Sequence, residues 1–66
     1  MQNAMNPFKR ARLLAGLNQT ELARALGITP GAVSQWETGR NLPSPRMLAK
    51  LSDILEVPID ELLKAV

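Results

Sequence analysis

Two adjacent side chains, Ser34 and Gln35, offer the clearest recognition chemistry in the chain. If their segment is helical, they lie opposite Ala32 and Val33, which face the interior. A glutamine amide donates and accepts hydrogen bonds at once, which suits the adenine edge in the major groove of DNA, while a serine hydroxyl is permissive. This chemistry binds a polymer and breaks no covalent bond.

The segment that must position these residues reads NQTELARALGITPGAVSQWETG. Asn18 and Glu21 have the spacing of a capping box at the start of one helix. Gly27 ends that helix, and Thr29 followed by Pro30 begins the next as cap and first helical residue. Apolar residues recur at helical spacing in both stretches: Leu22, Ala23 and Leu26, then Val33 and Trp36. Two helices with so short a joint predict a helix-turn-helix, whose second helix enters the major groove.

The composition lacks the residue types on which most enzymes and metal sites depend. The 66 residues include no cysteine and no histidine, which removes disulfides, the usual zinc and haem ligands and imidazole acid–base chemistry. Glu21 is better explained as a helix cap than as a catalytic carboxylate. We therefore expect no enzymatic activity, no cofactor and no metal.

The charge of the chain is unevenly distributed. Residues 1–50 carry seven Lys and Arg side chains against two Glu, a net charge of +5, whereas residues 51–66 carry one Lys against four Asp and Glu, a net charge of −3. A basic body with an acidic end suits a protein that presents one face to a polyanion. No run approaches the roughly 18 apolar residues of a membrane span, and no signal-peptide core is found, which predicts a cytoplasmic protein without a membrane partner.

One further helix is predicted before this pair. It begins at Asn6, with Pro7 as its first residue, and is closed by Gly16. One face holds Phe8, Ala11 or Arg12, and Ala15. Leu13 and Leu14 are adjacent and point about 100° apart, so we expect only one of them to be fully covered. Residues 1–5 are predicted to form a flexible leader.

Two more helices are predicted after Gly39, which stops the second helix of the pair. The first of them has Ser44 as its cap and Pro45 at its first position. Its apolar stripe is Met47 or Leu48, Leu51 and Leu55. Pro58 separates it from a short final helix, whose apolar residues are Ile59, Leu62 and Leu63. Because no strand signal is found, the sequence predicts an all-α fold, a compact bundle of about five short helices in one domain over residues 6–66.

In this order and spacing, the residues resemble the Cro/repressor family of helix-turn-helix domains, the lambda-repressor-like or XRE-type domains of phage repressors and many bacterial regulators. The similarity runs from about Pro7 to Leu63. The matching pieces are Arg12 four residues before Gly16, the segments LNQTELA, VSQWETG and LEVPIDEL, and the Pro43 loop. The resemblance implies a lambda-repressor-like fold and a bacterial or phage-encoded regulator that binds double-stranded DNA.

The resemblance also implies roles for particular residues. In the family, the residue at the position of Arg12 pairs with a glutamate at the position of Glu37, tying the first helix to the end of the third. Pro30 and Gly31 depart from the family pattern, because neither has a side chain that can bond a base edge. Contacts to bases are therefore expected from Ser34, Gln35, Arg40 and Asn41, of which the last two can instead contact phosphate.

Phosphate contacts are expected at exposed helix N-termini, whose amides and dipoles favour anions. Together with the resemblance, this predicts phosphate contacts from Gln19, Thr29, Arg10, Ser44 and Arg46. The Trp36 ring is large enough to stack on a base, but its spacing from Val33 turns it toward the core.

Family relatives bind palindromic operators as two-fold dimers. A single module buries only roughly 600–1,000 Å² on DNA, which is too little for tight specific binding alone. A homodimer is therefore expected, with the apolar residues Val57, Pro58 and Ile59 as its surface. No small-molecule effector is inferred.

A second function, from a different class, remains open. Pro30 and Gly31 leave fewer polar side chains on the surface that would contact bases. This favours a protein-interaction adaptor or antitoxin-like module on the same fold. The basic charge of the first 50 residues favours DNA. The leading prediction is a transcriptional regulator, most simply a repressor, that recognises a palindromic operator through a helix in the major groove.

Overall fold

The protein forms an all-α bundle, as the sequence predicts. A computed structural model describes residues 6–65, and its helices are α1 (Pro7–Leu14), α2 (Gln19–Leu26), α3 (Pro30–Glu37), α4 (Pro45–Leu55) and α5 (Ile59–Leu62), followed by a 3₁₀ turn, Leu63–Ala65. No strand occurs in this range. The leader predicted for residues 1–5 lies outside the described residues, as does Val66.

Side-chain caps begin the four longer helices. The carboxamide oxygen of Asn6 accepts the Phe8 amide at 2.8 Å, and Asn18 forms a complete capping box with Glu21. The hydroxyls of Thr29 and Ser44 accept backbone amides in the first turns of α3 and α4. Such caps contribute about 1 kcal/mol each, so helix boundaries are fixed by local chemistry.

The turn between α2 and α3 depends on Gly27. Its φ of 74° lies in the left-handed region, where a Cβ is strained. The amide that follows it, on Ile28, donates to the Ala23 carbonyl at 3.0 Å. The chain therefore leaves α2 and enters α3 within three residues, which sets the sharp angle of the helix pair.

The core lies where α1, α2, α3, α4 and α5 meet. The largest of its fully buried side chains are Leu22, Val33, Leu51 and Leu62. Trp36 is 7% exposed and packs beside Phe8, with ring centroids 6.4 Å apart. The assignment of Trp36 to the core rather than to base stacking thus agrees with its position.

Two expectations for α1 are wrong. Leu13 and Leu14 are both exposed, at 47% and 77%, although one was expected to be covered. The buried stripe of α1 is instead Phe8, Ala11 and Arg12, and both leucines lie more than about 100° around the helix from its centre. Ala15, expected on the buried face, is exposed because the helix ends before it.

The C-terminal helices expose more apolar surface than α2 and α3 do. Met47 and Leu48 are both half-buried, and in the last turn only Leu62 is fully covered. None of the helices in the described range is long and apolar enough to cross a membrane.

Candidate nucleic-acid interface

Helices α2 and α3 form the helix-turn-helix unit, and they pack together more extensively than any other two elements. The inner side of α3 is closed by Val33 and Trp36, both buried. On its outer side Gln35 is exposed and Ser34 is half-buried. One face of α3 is thus held in the core and the opposite face is available to a ligand.

The first turn of α3 presents little side chain to that ligand. Pro30 and Gly31 are both exposed. A Cβ added at Gly31 would meet only the Thr29 hydroxyl, at 3.8 Å, so the fold itself does not require glycine there. The polar side chains on the outer face begin one turn later, at Ser34 and Gln35.

Arg40 and Asn41 lie beside Gln35 because the chain folds back after α3. The backbone amides of both residues donate to the Gln35 carbonyl, at 2.9 and 3.4 Å. The side-chain nitrogen Nδ2 of Asn41 also donates to the side-chain oxygen Oε1 of Gln35. The structure therefore brings three of the four predicted base-contact residues together at the end of α3, next to the fourth, Ser34.

A buried charge network fastens the C-terminal end of α3 to α1 and α2. Arg12 Nε and Nη2 donate to the two carboxylate oxygens of Glu37, at 2.7 and 3.1 Å. Arg12 Nη1 also donates to the Leu17 carbonyl at 2.8 Å, and the two charged side chains are only 8% and 4% exposed. Hydrogen bonding to Glu37 raises the pKa of Arg12, with burial acting in the opposite direction. The geometry is bidentate, which is the strongest form of this pair.

Gln19 belongs to the same network. Its side-chain nitrogen donates to Glu37 Oε1 at 3.1 Å, and the residue is half-buried. The sequence assigned Gln19 to phosphate, and this structural bond was missed because Gln19 and Glu37 are 18 positions apart. The side-chain amide of Asn6 also donates, through Nδ2, to the Trp36 carbonyl at 3.2 Å. Together these bonds make α3 a rigid support for its outer face.

The helix-turn-helix family model matches residues 8–62, which is most of the chain and covers all five α-helices except Pro7, the first residue of α1. This chain belongs to the helix-turn-helix family. Two curated relatives are a prophage-derived, uncharacterised transcriptional regulator of Bacillus subtilis, YonR, and the transcriptional activator BcrR of Enterococcus faecalis. YonR is 41% identical over 57 residues, 86% of this chain and 53% of its own length, and BcrR is 40% identical over 56 residues, 85% of this chain and 28% of its own. The chain thus spans about half of one relative and about a quarter of the other.

The fold is also that of a solved repressor. The P22 c2 repressor in complex with a synthetic operator superposes with a TM-score of 0.82 at 27% identity, covering 97% of this chain and all of that one. The likeness to a lambda-repressor-like domain that the sequence suggested is therefore confirmed.

Four of the five predicted phosphate-contact residues lie at helix N-termini of this helix-turn-helix domain, and Gln19, the first residue of α2, is one of them. Thr29 and Ser44 are exposed, and their hydroxyls already serve as caps of α3 and α4. Arg46 is exposed in the first turn of α4. Arg10 lies apart from them, in a groove between α1 and α5 beside Leu14 and Glu61. A phosphate contact by Arg10 stays a prediction.

One of the three predicted dimer residues, Val57, lies in the same groove. Val57 is half-buried and lines it, while Pro58 and Ile59 are exposed at the start of α5. Leu14 and Ile54, which the sequence did not assign to this surface, add exposed apolar area next to Val57. Among the described residues, no cluster of carboxylates suited to a metal ion is present.

Proposed function

We propose that this protein binds double-stranded DNA sequence-specifically and regulates transcription, with α3 in the major groove. The observation that carries the proposal is that one face of α3 is buried in the core and the opposite face is exposed. Its inner side chains are buried, its C-terminal end is fixed by the Arg12–Glu37 pair, and Gln35 is exposed on the outside. A rigid helix with a polar outer face is the geometry that major-groove recognition requires.

Base recognition falls to the second turn of α3 and the segment after it. On the outer side of the helix Gln35 is exposed and Ser34 is half-buried, and the exposed Arg40 extends the polar surface beyond its end. Arg46, Thr29 and Ser44 lie at helix N-termini, where amides and dipole favour phosphate oxygens. A regulator of this kind works as a DNA-binding protein in a bacterial cytoplasm and needs no catalytic group.

The second part of the proposal is a homodimer on a palindromic operator. One domain with this small recognition surface buries too little area for tight specific binding, and two domains double both the area and the base contacts. The apolar residues around Val57, Pro58 and Ile59 would form the interface, because Ile59 is 37% exposed beside other apolar residues. Whether occupancy of the operator represses or activates then depends on where it lies relative to the promoter, and repression is the simpler mode.

Ile59→Asp is expected to abolish self-association in sedimentation experiments, because it places a charge in an apolar interface. Leu42→Asp is a matched control, since Leu42 is also exposed, at 52%, but lies in the loop between α3 and α4. If Ile59→Asp associates as the unaltered protein does, this surface is not the dimer interface.

A protein-interaction adaptor is the second candidate function. It is favoured by the exposed Pro30 and Gly31, which leave the first turn of α3 without polar readers. An adaptor would have no preferred duplex.

Selection of bound duplexes from a random pool, at two salt concentrations, tests the proposed function. One sequence, with two-fold symmetry, should be enriched. Gln35→Ala is expected to lose about 1–3 kcal/mol of discrimination at one base pair of each half-site and little elsewhere. If no sequence is enriched, DNA-specific regulation is wrong and the adaptor is favoured.

A further inference from the structure

Gln35 is held at its backbone and at its side chain by the segment that follows α3. Its carbonyl accepts the Arg40 amide at 2.9 Å and the Thr38 hydroxyl at 3.3 Å. Its side-chain oxygen Oε1 accepts from Asn41 Nδ2, a contact between two exposed residues six positions apart. An exposed glutamine would ordinarily sample many rotamers, so this contact selects one of them.

In this arrangement the oxygen end of the Gln35 amide faces Asn41 and the nitrogen end faces away from it. A glutamine amide has an acceptor oxygen and a donor nitrogen, and exchange of the two ends reverses what it offers to a base. With Oε1 bound to Asn41 Nδ2, the nitrogen Nε2 points away from Asn41 and is free to donate. Oε1 keeps one lone pair, so it can still accept one further hydrogen bond.

We propose that Asn41 is a positioning residue that sets Gln35 for one base, rather than an independent base contact. The inference rests on the proposed function, in which Gln35 reads a base edge. The preset amide fits adenine, which accepts Nε2–H at N7 and donates from N6 to the free lone pair of Oε1. Because this contact forms before DNA arrives, the complex loses less side-chain freedom on binding than it would with an unrestrained glutamine.

The length and position of the loop support this role. The turn that returns the chain toward Gln35 passes through Gly39, whose φ is 81°. Asn41 follows directly and reaches the Gln35 side chain rather than extending outward as a long basic side chain would. Arg40, its neighbour, supplies the positive charge at the same edge.

The test uses Asn41→Ala, Gln35→Ala and the double variant, each measured by dissociation constants on the selected duplex and on duplexes changed at single base pairs. Asn41→Ala is expected to weaken binding to the selected duplex by about two- to tenfold. The loss should fall on discrimination at the Gln35 base pair, and the double variant should bind no worse than Gln35→Ala alone. Thermal unfolding midpoints should be unchanged, because both residues are exposed.

A second variant, Asn41→Asp, tests the polarity of the amide. A carboxylate only accepts hydrogen bonds, so Gln35 would turn Nε2 toward it and Oε1 toward the groove. The preference for adenine over the other bases at this position should then be lower in Asn41→Asp than in Asn41→Ala. The added negative charge weakens binding to all duplexes equally, so it does not by itself change this preference.

Two outcomes would overturn the inference in distinguishable ways. If Gln35→Ala removes discrimination at one base pair but Asn41→Ala does not, or if their effects add, Asn41 does not position Gln35 and the proposed function survives. If Gln35→Ala changes discrimination nowhere, both the inference and the base-reading part of the proposed function are wrong.

Discussion

Replacement of Arg12 by alanine is expected to lower the free energy of unfolding by about 3–5 kcal/mol, since it leaves a buried carboxylate without its cation. Glu37 is 4% exposed in its side chain and would keep only the Gln19 amide as a partner. A domain of this size has a total stability of roughly 5 kcal/mol or little more, so between a few per cent and about half of the variant would be unfolded at 25 °C. Trp36, the single tryptophan, is buried and reports urea unfolding by its fluorescence.

The double variant Arg12→Met, Glu37→Met is the control for this prediction. It removes both charges and keeps apolar volume, so it should recover most of the stability that Arg12→Ala loses. The ion pair of Lys64 and Glu61 is exposed instead of buried. Lys64→Ala should therefore produce no measurable change in the free energy of unfolding. If the double Met variant is as unstable as Arg12→Ala, the stability lost in Arg12→Ala does not come from an unpaired buried charge.

Salt should weaken DNA binding on the order of a hundredfold between about 50 and 200 mM. Two subunits would each bring Arg40 and Arg46 to the DNA, and release of counterions from about four phosphates gives a slope of log K against log salt near −3.6. Both arginines are exposed, Arg40 just after α3 and Arg46 in the first turn of α4. Fluorescence anisotropy with a labelled duplex measures the slope directly.

Arg46→Gln should reduce that slope by roughly half, because it removes one phosphate contact from each subunit. Lys64→Gln is the matched control: it removes the same charge from the turn after α5, where Lys64 is already paired with Glu61. An equal change in slope for both variants would mean that net charge, rather than a contact at the N-terminus of α4, governs binding.

The helices could be predicted from the sequence because their boundaries depend on neighbouring residues. Asn18 with Glu21, and Thr29 with Pro30, carry their capping geometry within four positions, and the structure places each cap where the pattern puts it. The inward position of Trp36 follows in the same way from its spacing to Val33. Local chemistry was therefore sufficient for the helix boundaries.

The details of the candidate site depend on contacts between distant residues and were missed. Gln19 meets Glu37 across the helix pair, and Asn41 reaches Gln35 only because the chain reverses after α3. The exposure of both Leu13 and Leu14 has the same origin, since the buried stripe of α1 is Phe8, Ala11 and Arg12, and Arg12 is held there by its pair with Glu37. In each case the partner is set by tertiary packing, which periodicity does not encode.

The central claim is that the outer face of α3 contacts the bases of a duplex, and a nuclear magnetic resonance titration of isotope-labelled protein with the selected duplex tests it most directly. The largest shifts should occur in the side-chain amide of Gln35 and in backbone amides from Ser34 to Asn41, with smaller changes at the start of α4. Unchanged signals from Gln35 and its neighbours, with shifts confined to residues elsewhere on the domain, would contradict the account.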